Sequence, residues 1–137
     1  MTYVFISHSS KDGEIINLIK FNFEELRIDK MPYFACHYIA GKNPADKVID
    51  AIDDSVALFA IITNNVIYDQ DTLNWVLFEI GLAKGRNLPV YGWKAYDVPK
   101  VPQPIEYITD YDTFDLSNEE DLLRIVEVMI NLAMELS

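Results

Sequence analysis

The chain has 137 residues, about the length of one domain, and we predict that residues 1–137 form a single domain. Apolar residues make up 50% of the sequence and charged residues 24%, which is a globular composition and excludes a disordered or fibrous chain. The formal net charge of −11 repels polyanions, and this argues against a nucleic acid as the partner.

The sequence shows neither a membrane segment nor a secretion signal. The longest uninterrupted apolar run covers residues 56–62, far fewer than the roughly 20 residues that cross a bilayer. Residues 1–6 lack the basic leader and the small-residue cleavage site of a signal peptide. The single cysteine, Cys36, cannot form a disulfide within the chain, which fits a reducing compartment. We therefore expect a cytoplasmic protein that does not bind a membrane.

Short apolar runs rich in β-branched and aromatic residues predict the strands. These runs cover residues 3–6, 33–39, 56–62 and 88–93, and a last strand is predicted near residues 111–116. The run at 56–62 is apolar throughout, which is typical of a central parallel strand that is covered on both faces. Residues 94–112 contain three prolines and are predicted to form a long loop with at most one short turn.

Three segments between or after these strands have apolar residues at the helical period of 3.6. They lie at residues 15–26, 48–52 and 122–133, and a further helix is expected to start near Thr72, after a polar loop at 63–72. The repeated strand-and-helix order predicts an α/β fold. We expect a flavodoxin-like three-layer sandwich, with a central parallel sheet of about five strands and helices on both faces.

The first polar segment with chemical interest follows the first strand, where residues 5–12 read Phe-Ile-Ser-His-Ser-Ser-Lys-Asp. In a parallel sheet this loop lies at the carboxyl edge, where ligands of such folds usually bind. Ser9 and Asp12 fit a helix-start box in which the Ser9 hydroxyl accepts a backbone N–H, and N–H groups at a helix start can bind a phosphate. Plain helix capping, with His8 as a solvated loop residue, explains the same pattern.

The second polar segment contains Trp75 and Glu79, which are four residues apart and share one face of a helix. Glu79 is the only acid between Asn74 and Ala83, and no Lys or Arg lies one turn away from it on the helix. Periodicity leaves a catalytic and a structural role for Glu79 equally open. It also places Glu79 about two turns beyond the expected helix start, so we expect a late or bent helix if Glu79 is to reach the sheet edge.

These two segments resemble motifs of TIR (Toll/interleukin-1 receptor) domains. Residues 5–12 resemble the first conserved box of the family. The Trp75-x-x-x-Glu79 segment resembles the one in which TIR NAD hydrolases of bacterial and archaeal type have their catalytic glutamate. Gly41 and Pro44, with a helix at 46–53, resemble the family's loop after the second strand, although the order here is Gly-Lys-Asn-Pro and the family usually has Pro-Gly. The resemblance covers about residues 1–93.

The resemblance implies an NAD+ nucleosidase or ADP-ribosyl cyclase in which Glu79 is catalytic. NAD would be the substrate, nicotinamide would leave, and the product would be ADP-ribose or a cyclic isomer of it; no further cofactor and no metal are expected. One carboxylate suffices because nicotinamide leaves as a neutral ring and only the positive charge on the ribose needs stabilisation. The residues that would bind the substrate are Ser7, His8, Ser9, Ser10, Lys11, Gly41, Lys42 and Trp75.

The family also implies self-association with other TIR domains and a role in immune or antiviral defence signalling. The main alternative is a non-catalytic adaptor module that binds other TIR domains, in which Glu79 has no chemical role. A nucleoside deoxyribosyltransferase-like enzyme is a further alternative, because it also uses a carboxylate at a ribosyl carbon. A response-regulator-like protein phosphorylated at Asp12 is disfavoured, since the first loop lacks an acidic cluster.

Overall fold

The computed structural model describes residues 2–26, 30–34, 44–106 and 110–136. Within these ranges strands and helices alternate along the chain. The strands are β1 (Thr2–Ser7), β2 (Lys30–Phe34), β3 (Ser55–Ile62), β4 (Val90–Ala95) and β5 (Asp110–Phe114). The helices are α1 (Gly13–Leu26), α2 (Pro44–Asp53), α3 (Asn64–Ile67), α4 (Gln70–Gly85), α5 (Gln103–Glu106) and α6 (Glu119–Glu135).

The five strands form one parallel sheet in the order β2-β1-β3-β4-β5. Helices α1 and α6 contact each other, and α2 and α4 contact each other, so the two pairs form layers on the two sides of the sheet. The predicted flavodoxin-like sandwich is therefore confirmed. The strand β3, predicted to be central, is buried at every position except Val56.

The second strand differs from its prediction. It begins at Lys30, earlier than the predicted start at 33, and of the predicted residues 33–39 only Tyr33 and Phe34 lie in the described part of the chain. Lys30 and Pro32 do not look like strand residues in the sequence. Because β2 is at the end of the strand order and pairs with β1, its other edge has no strand neighbour in the described chain, and an edge strand tolerates a proline that has no N–H to donate.

The helix α4 begins at Gln70, slightly before the predicted start near Thr72. Asp69 precedes it in an extended conformation, and its side chain accepts the backbone N–H of Thr72 at 3.2 Å, which is a regular N-cap. The preceding polar loop contains the short helix α3, which was not predicted. After α4, Asn87 adopts a positive φ of 59°, which turns the chain toward β4.

The other boundaries shift by a few residues. The strand predicted at 88–93 is observed as β4, Val90–Ala95, and the strand predicted near 111–116 is observed as β5, Asp110–Phe114. The proline-rich region, where at most one short turn was expected, has a turn directly after β4, in which the Val98 N–H donates to the Ala95 carbonyl, and the short helix α5. No helix in the described ranges is long and apolar enough to span a lipid bilayer.

Candidate functional site

The candidate site lies at the carboxyl edge of the two central strands, β1 and β3. Ser7 is the last residue of β1 and pairs in register with Ala60, two residues before β3 ends, so the loops that follow the two strands leave the sheet at the same edge. The loop after β1 covers residues 8–12 and leads into α1, whereas the segment after β3 leads through α3 into α4. This edge is where parallel α/β sheets place their ligands.

Glu79 of α4 and Ser7 of β1 are in direct contact at this edge. The Ser7 hydroxyl donates a hydrogen bond of 2.7 Å to the Glu79 carboxylate, and both side chains are fully buried. Hydrogen bonds to a carboxylate contribute about 1.5–3 kcal/mol, and an ionised carboxylate out of water requires such partners. Glu79 reaches the end of β1 although α4 starts early, because α4 packs across β1, β3 and β4. A late helix start is therefore not needed.

A pocket lies beside Trp75 on the same helix. Its volume is about 450 Å³, within the usual range for small-molecule sites. The described residues that line it are Ala45, Asp71, Asn74, Trp75 and Phe78. We call it the aromatic pocket, because the rings of Trp75 and Phe78 meet in it edge to face with centroids 5.7 Å apart.

The aromatic pocket and Glu79 occupy neighbouring sides of α4. At about 100° per residue, Trp75 and Glu79 are only about 40° apart around the helix axis. Trp75 is half-buried and lines the pocket, whereas Glu79 belongs to the buried side with Val76, Ile80 and Ala83. Glu79 is not among the described residues that line the pocket. Trp75 therefore lines the open pocket on the side of α4 next to the buried carboxylate.

The loop after β1 is closed by its own hydrogen bonds. Ser9 is buried; its hydroxyl accepts the backbone N–H of Lys11 at 3.2 Å, and its carbonyl accepts the N–H of Asp12 at 3.1 Å. The Ser9 hydroxyl accepts a backbone N–H as predicted, but the predicted helix-start box is wrong, because α1 begins at Gly13 and Asp12, not Ser9, directly precedes it. His8 is half-buried, with Nδ1 2.9 Å from the Ser9 carbonyl, whereas Ser10 and Lys11 are exposed.

Asp12 connects this loop to the segment after β3. The sequence did not predict this connection. Its side chain is only 5% exposed and accepts two hydrogen bonds of 2.7 Å, one from the Thr63 hydroxyl and one from the Asn65 side-chain amide. A second, exposed connection joins the Lys11 ammonium to Asp69 at 3.9 Å. The only sequence signal was the Thr-Asn-Asn run directly after β3, which looked like an ordinary polar loop.

The structure thus brings some of the predicted site residues together and leaves others apart. Ser7 contacts Glu79, and Trp75 is adjacent to Glu79 on α4, whereas Ser10 and Lys11 are on the exposed part of the loop. Gly41 and Lys42 lie outside the described residues, as does Cys36.

The strand order, the two helix layers and the site at the carboxyl edge define an α/β protein with the fold of TIR domains. The chain is similar to the TIR domain of the Toll-related receptor TRR-2 from the lower metazoan Hydra magnipapillata. That comparison has a TM-score of 0.63 and 17% sequence identity, and it covers 96% of each chain.

The chain is also similar to the TIR domains in the activated Roq1 resistosome that directly recognises the pathogen effector XopQ. Here the TM-score is 0.57 at 14% identity, over 97% of this chain and 84% of that chain. No sequence profile of a known protein family matches the chain. No curated protein matches it either.

Proposed function

We propose that this chain is a TIR-type NAD glycohydrolase in which Glu79 is the catalytic carboxylate. The observation that carries the proposal is the buried Glu79 carboxylate, which accepts the Ser7 hydroxyl at the carboxyl edge of a central strand. Enzymes often bury the carboxylates that act on their substrates, because a charge in a water-poor site interacts more strongly with a developing positive charge. The TIR fold and the Trp75-x-x-x-Glu79 segment agree with this role.

The proposed reaction breaks the bond between C1′ of the ribose and the nicotinamide nitrogen. Nicotinamide takes both bonding electrons and leaves as a neutral ring, so the positive charge develops on the ribose and no acid is needed for the leaving group. Glu79 stabilises that charge and accepts a hydrogen bond from a ribose hydroxyl in place of Ser7. Water then attacks C1′ to give ADP-ribose and a proton; attack by an adenine nitrogen gives a cyclic isomer.

The neighbouring residues supply the rest of the proposed site. The aromatic pocket offers Trp75 as a flat surface for a ring of NAD, and the cationic nicotinamide ring suits an indole face. Ser10 and Lys11 are exposed at the same edge and are proposed to bind the pyrophosphate. Lys11 would have to leave its ion pair with Asp69 to bind the pyrophosphate. This costs little, because exposed pairs of this kind contribute about 1 kcal/mol or less. His8, Ser9, Gly41 and Lys42 are proposed to complete the site, and no further cofactor is proposed.

Access to Glu79 requires a rearrangement. The side chain has no exposed surface, so NAD cannot reach the carboxylate in the arrangement observed here. We propose that homotypic association with other copies of the domain opens the site, which is supported by the likeness to TIR domains within an activated resistosome. On the same basis we propose a role in cytoplasmic immune or antiviral signalling.

The test is a nicotinamide-release assay on the purified chain over a wide range of protein concentration. We expect the rate per molecule to rise with concentration and to fall at least about 100-fold in Glu79→Gln, which keeps the shape of the side chain but loses its charge. The matched control is Glu127→Gln, an exposed glutamate on α6, which should have the wild-type rate. Equal rates for Glu79→Gln and the wild type would contradict the proposal.

A second candidate is a non-catalytic adaptor that binds other TIR domains. The observation that favours it is the same complete burial of Glu79, because a carboxylate that joins α4 to β1 can be purely structural. A folded wild-type chain that releases no nicotinamide at any concentration, while still self-associating, would establish the adaptor. If the same preparation exchanges the base of a labelled deoxynucleoside, the chain is instead a deoxyribosyltransferase.

A further inference from the structure

We infer that Asp12 is a positioning residue for the NAD site: by accepting hydrogen bonds from Thr63 and Asn65, it fixes the loop after β1 against the segment that leads to α4. This inference rests on the proposed function, because the loop supplies Ser10 and Lys11, the proposed pyrophosphate ligands, and α4 supplies Glu79. Asp12 itself touches neither the aromatic pocket nor Glu79 in the described contacts.

The Asp12 side chain stands at the start of α1 but binds the segment after β3. Asp12 directly precedes α1, and its carbonyl accepts the N–H of Ile16, so it occupies the position from which an Asp side chain normally caps a helix. Both carboxylate oxygens instead accept donors from the segment after β3, at 2.7 Å each.

Thr63, on the other side of the contact, likewise uses its side chain to bind another residue and not to cap its own helix. It is the N-cap residue of α3, and its carbonyl accepts the N–H groups of Val66 and Ile67. Its hydroxyl makes no capping hydrogen bond and donates to Asp12, and the side chain is fully buried. Two residues that could each cap their own helix therefore bind each other, and this joins the starts of α1 and α3.

The consequence for the site follows from where these contacts lie. The loop lies between two contacts: Ser7, the last residue of β1, binds Glu79, and Asp12, at the end of the loop, binds Thr63 and Asn65. Ser10 and Lys11, the exposed candidates for the pyrophosphate, lie between the two contacts. If the Asp12 contact is lost, Ser10 and Lys11 move relative to Glu79, and displacements on the order of 1 Å in an active site can reduce the rate about 100-fold.

The decisive experiment exchanges the two partners. Asn65→Asp places two carboxylates face to face, and we expect kcat/KM for nicotinamide release to fall about 10- to 100-fold. Adding Asp12→Asn to this variant restores a donor opposite the new carboxylate, while the Asn carbonyl still accepts Thr63. We expect the double variant to recover to within about threefold of the wild type, as expected for residues in direct contact.

A second matched pair isolates the hydroxyl. Thr63→Val removes it at nearly constant shape and should lower kcat/KM, whereas Thr63→Ser keeps it and should have little effect. The control is Ser55→Ala at the opposite end of β3, where a buried hydroxyl donates to the Ala51 carbonyl at 2.8 Å. This variant loses a similar hydrogen bond, and its kcat/KM per folded molecule should equal that of the wild type. A loss of activity in Ser55→Ala as large as in Thr63→Val would show that only stability matters.

Hydrogen exchange of the Lys11 and Asp12 amides separates this inference from the proposed function. Both amides donate to Ser9 within the loop. We expect about tenfold faster exchange in Asn65→Asp and Thr63→Val, recovery in the double variant, and no change in Ser55→Ala. A wild type that releases no nicotinamide but shows this exchange pattern would refute the enzyme and support the positioning of the loop. Failure of the double variant to recover in both measurements would overturn the inference.

Discussion

Two hydrogen-bond networks that contain carboxylates have nearly the same donor–acceptor distances and very different surroundings. At the carboxyl edge of the central strands, Asp12 accepts Thr63 and Asn65 at 2.7 Å, and its side chain is 5% exposed. Between β5 and α6, Arg124 donates to Asp121 at 2.7 Å and to Asp112 at 2.8 Å.

The second network is open to water. The side chains of Arg124 and Asp112 are 45% and 49% exposed, so solvent competes for their hydrogen bonds and salt screens their charges. In the first network the Thr63 hydroxyl and the Asp12 carboxylate are buried and have no such replacement if a partner is removed, whereas Asn65 is half-buried. The comparison teaches that burial, and not distance, decides which of these networks the fold depends on, and the following variants test that contrast.

The largest effect is expected for Asp12→Ala. It removes the acceptor of two hydrogen bonds and leaves the buried Thr63 hydroxyl without a partner, so the free energy of unfolding should fall by about 2–4 kcal/mol. Urea denaturation followed by circular dichroism measures this change. A loss below about 0.5 kcal/mol would mean that water replaces the Asp12 carboxylate. It would contradict the claim that burial makes the Asp12 network the more important one for stability.

Ser7→Ala should have an intermediate effect. The Glu79 carboxylate loses a buried donor, and we expect a loss of about 1–3 kcal/mol in the same denaturation experiment. Glu79→Gln in the Ser7→Ala background tests the cause, because an amide is neutral and suffers less from the missing donor. The double variant should therefore lose less free energy of unfolding than the sum of the losses in Ser7→Ala and Glu79→Gln.

Arg124→Ala should have a small effect. It removes hydrogen bonds to two carboxylates, but Asp112 is exposed and Asp121 partly exposed, and we expect a loss of about 1 kcal/mol or less. Repeating the denaturation at high salt should shrink the difference from the wild type further. A salt-independent loss as large as that of Asp12→Ala would contradict the comparison.

The smallest effect is a pH dependence at Asp121. The hydrogen bond from Arg124, followed by the backbone N–H of Asp115, lowers the pKa of the Asp121 carboxyl from its ordinary value of 3.8. Because the folded pKa is the lower one, this contribution to stability is complete above pH 3.8 and is lost as the pH falls through the folded pKa. In thermal melts between pH 2 and about 6, Asp121→Asn should differ from the wild type above this window and converge with it below.

Much of the fold could be predicted because its signals are local. The apolar run of β3 and the helical periods of α1 and α6 each identify an element without reference to the rest of the chain. The predicted start of β2 was wrong because a proline such as Pro32 is tolerated in a strand chiefly at a sheet edge, and edge position is a property of the assembled sheet.

The site could be predicted only in part, for the same reason. Ser7 and Glu79 were both identified as site residues, but their contact joins positions 72 apart and depends on how α4 packs across the sheet. The Asp12 contacts join positions 51 and 53 apart. Short polar side chains in loops have no periodicity that reveals such partners, and the depth of Glu79 in the core likewise required the structure.

The most direct test of the central claim is the ratio of nicotinamide-release rates between the wild type and Glu79→Gln, measured on folded protein at the highest attainable concentration. We expect a ratio of at least about 100, with nicotinamide formed in step with NAD loss. A ratio near one would contradict the account, since it would place the chemistry elsewhere than on the carboxylate at the end of β1.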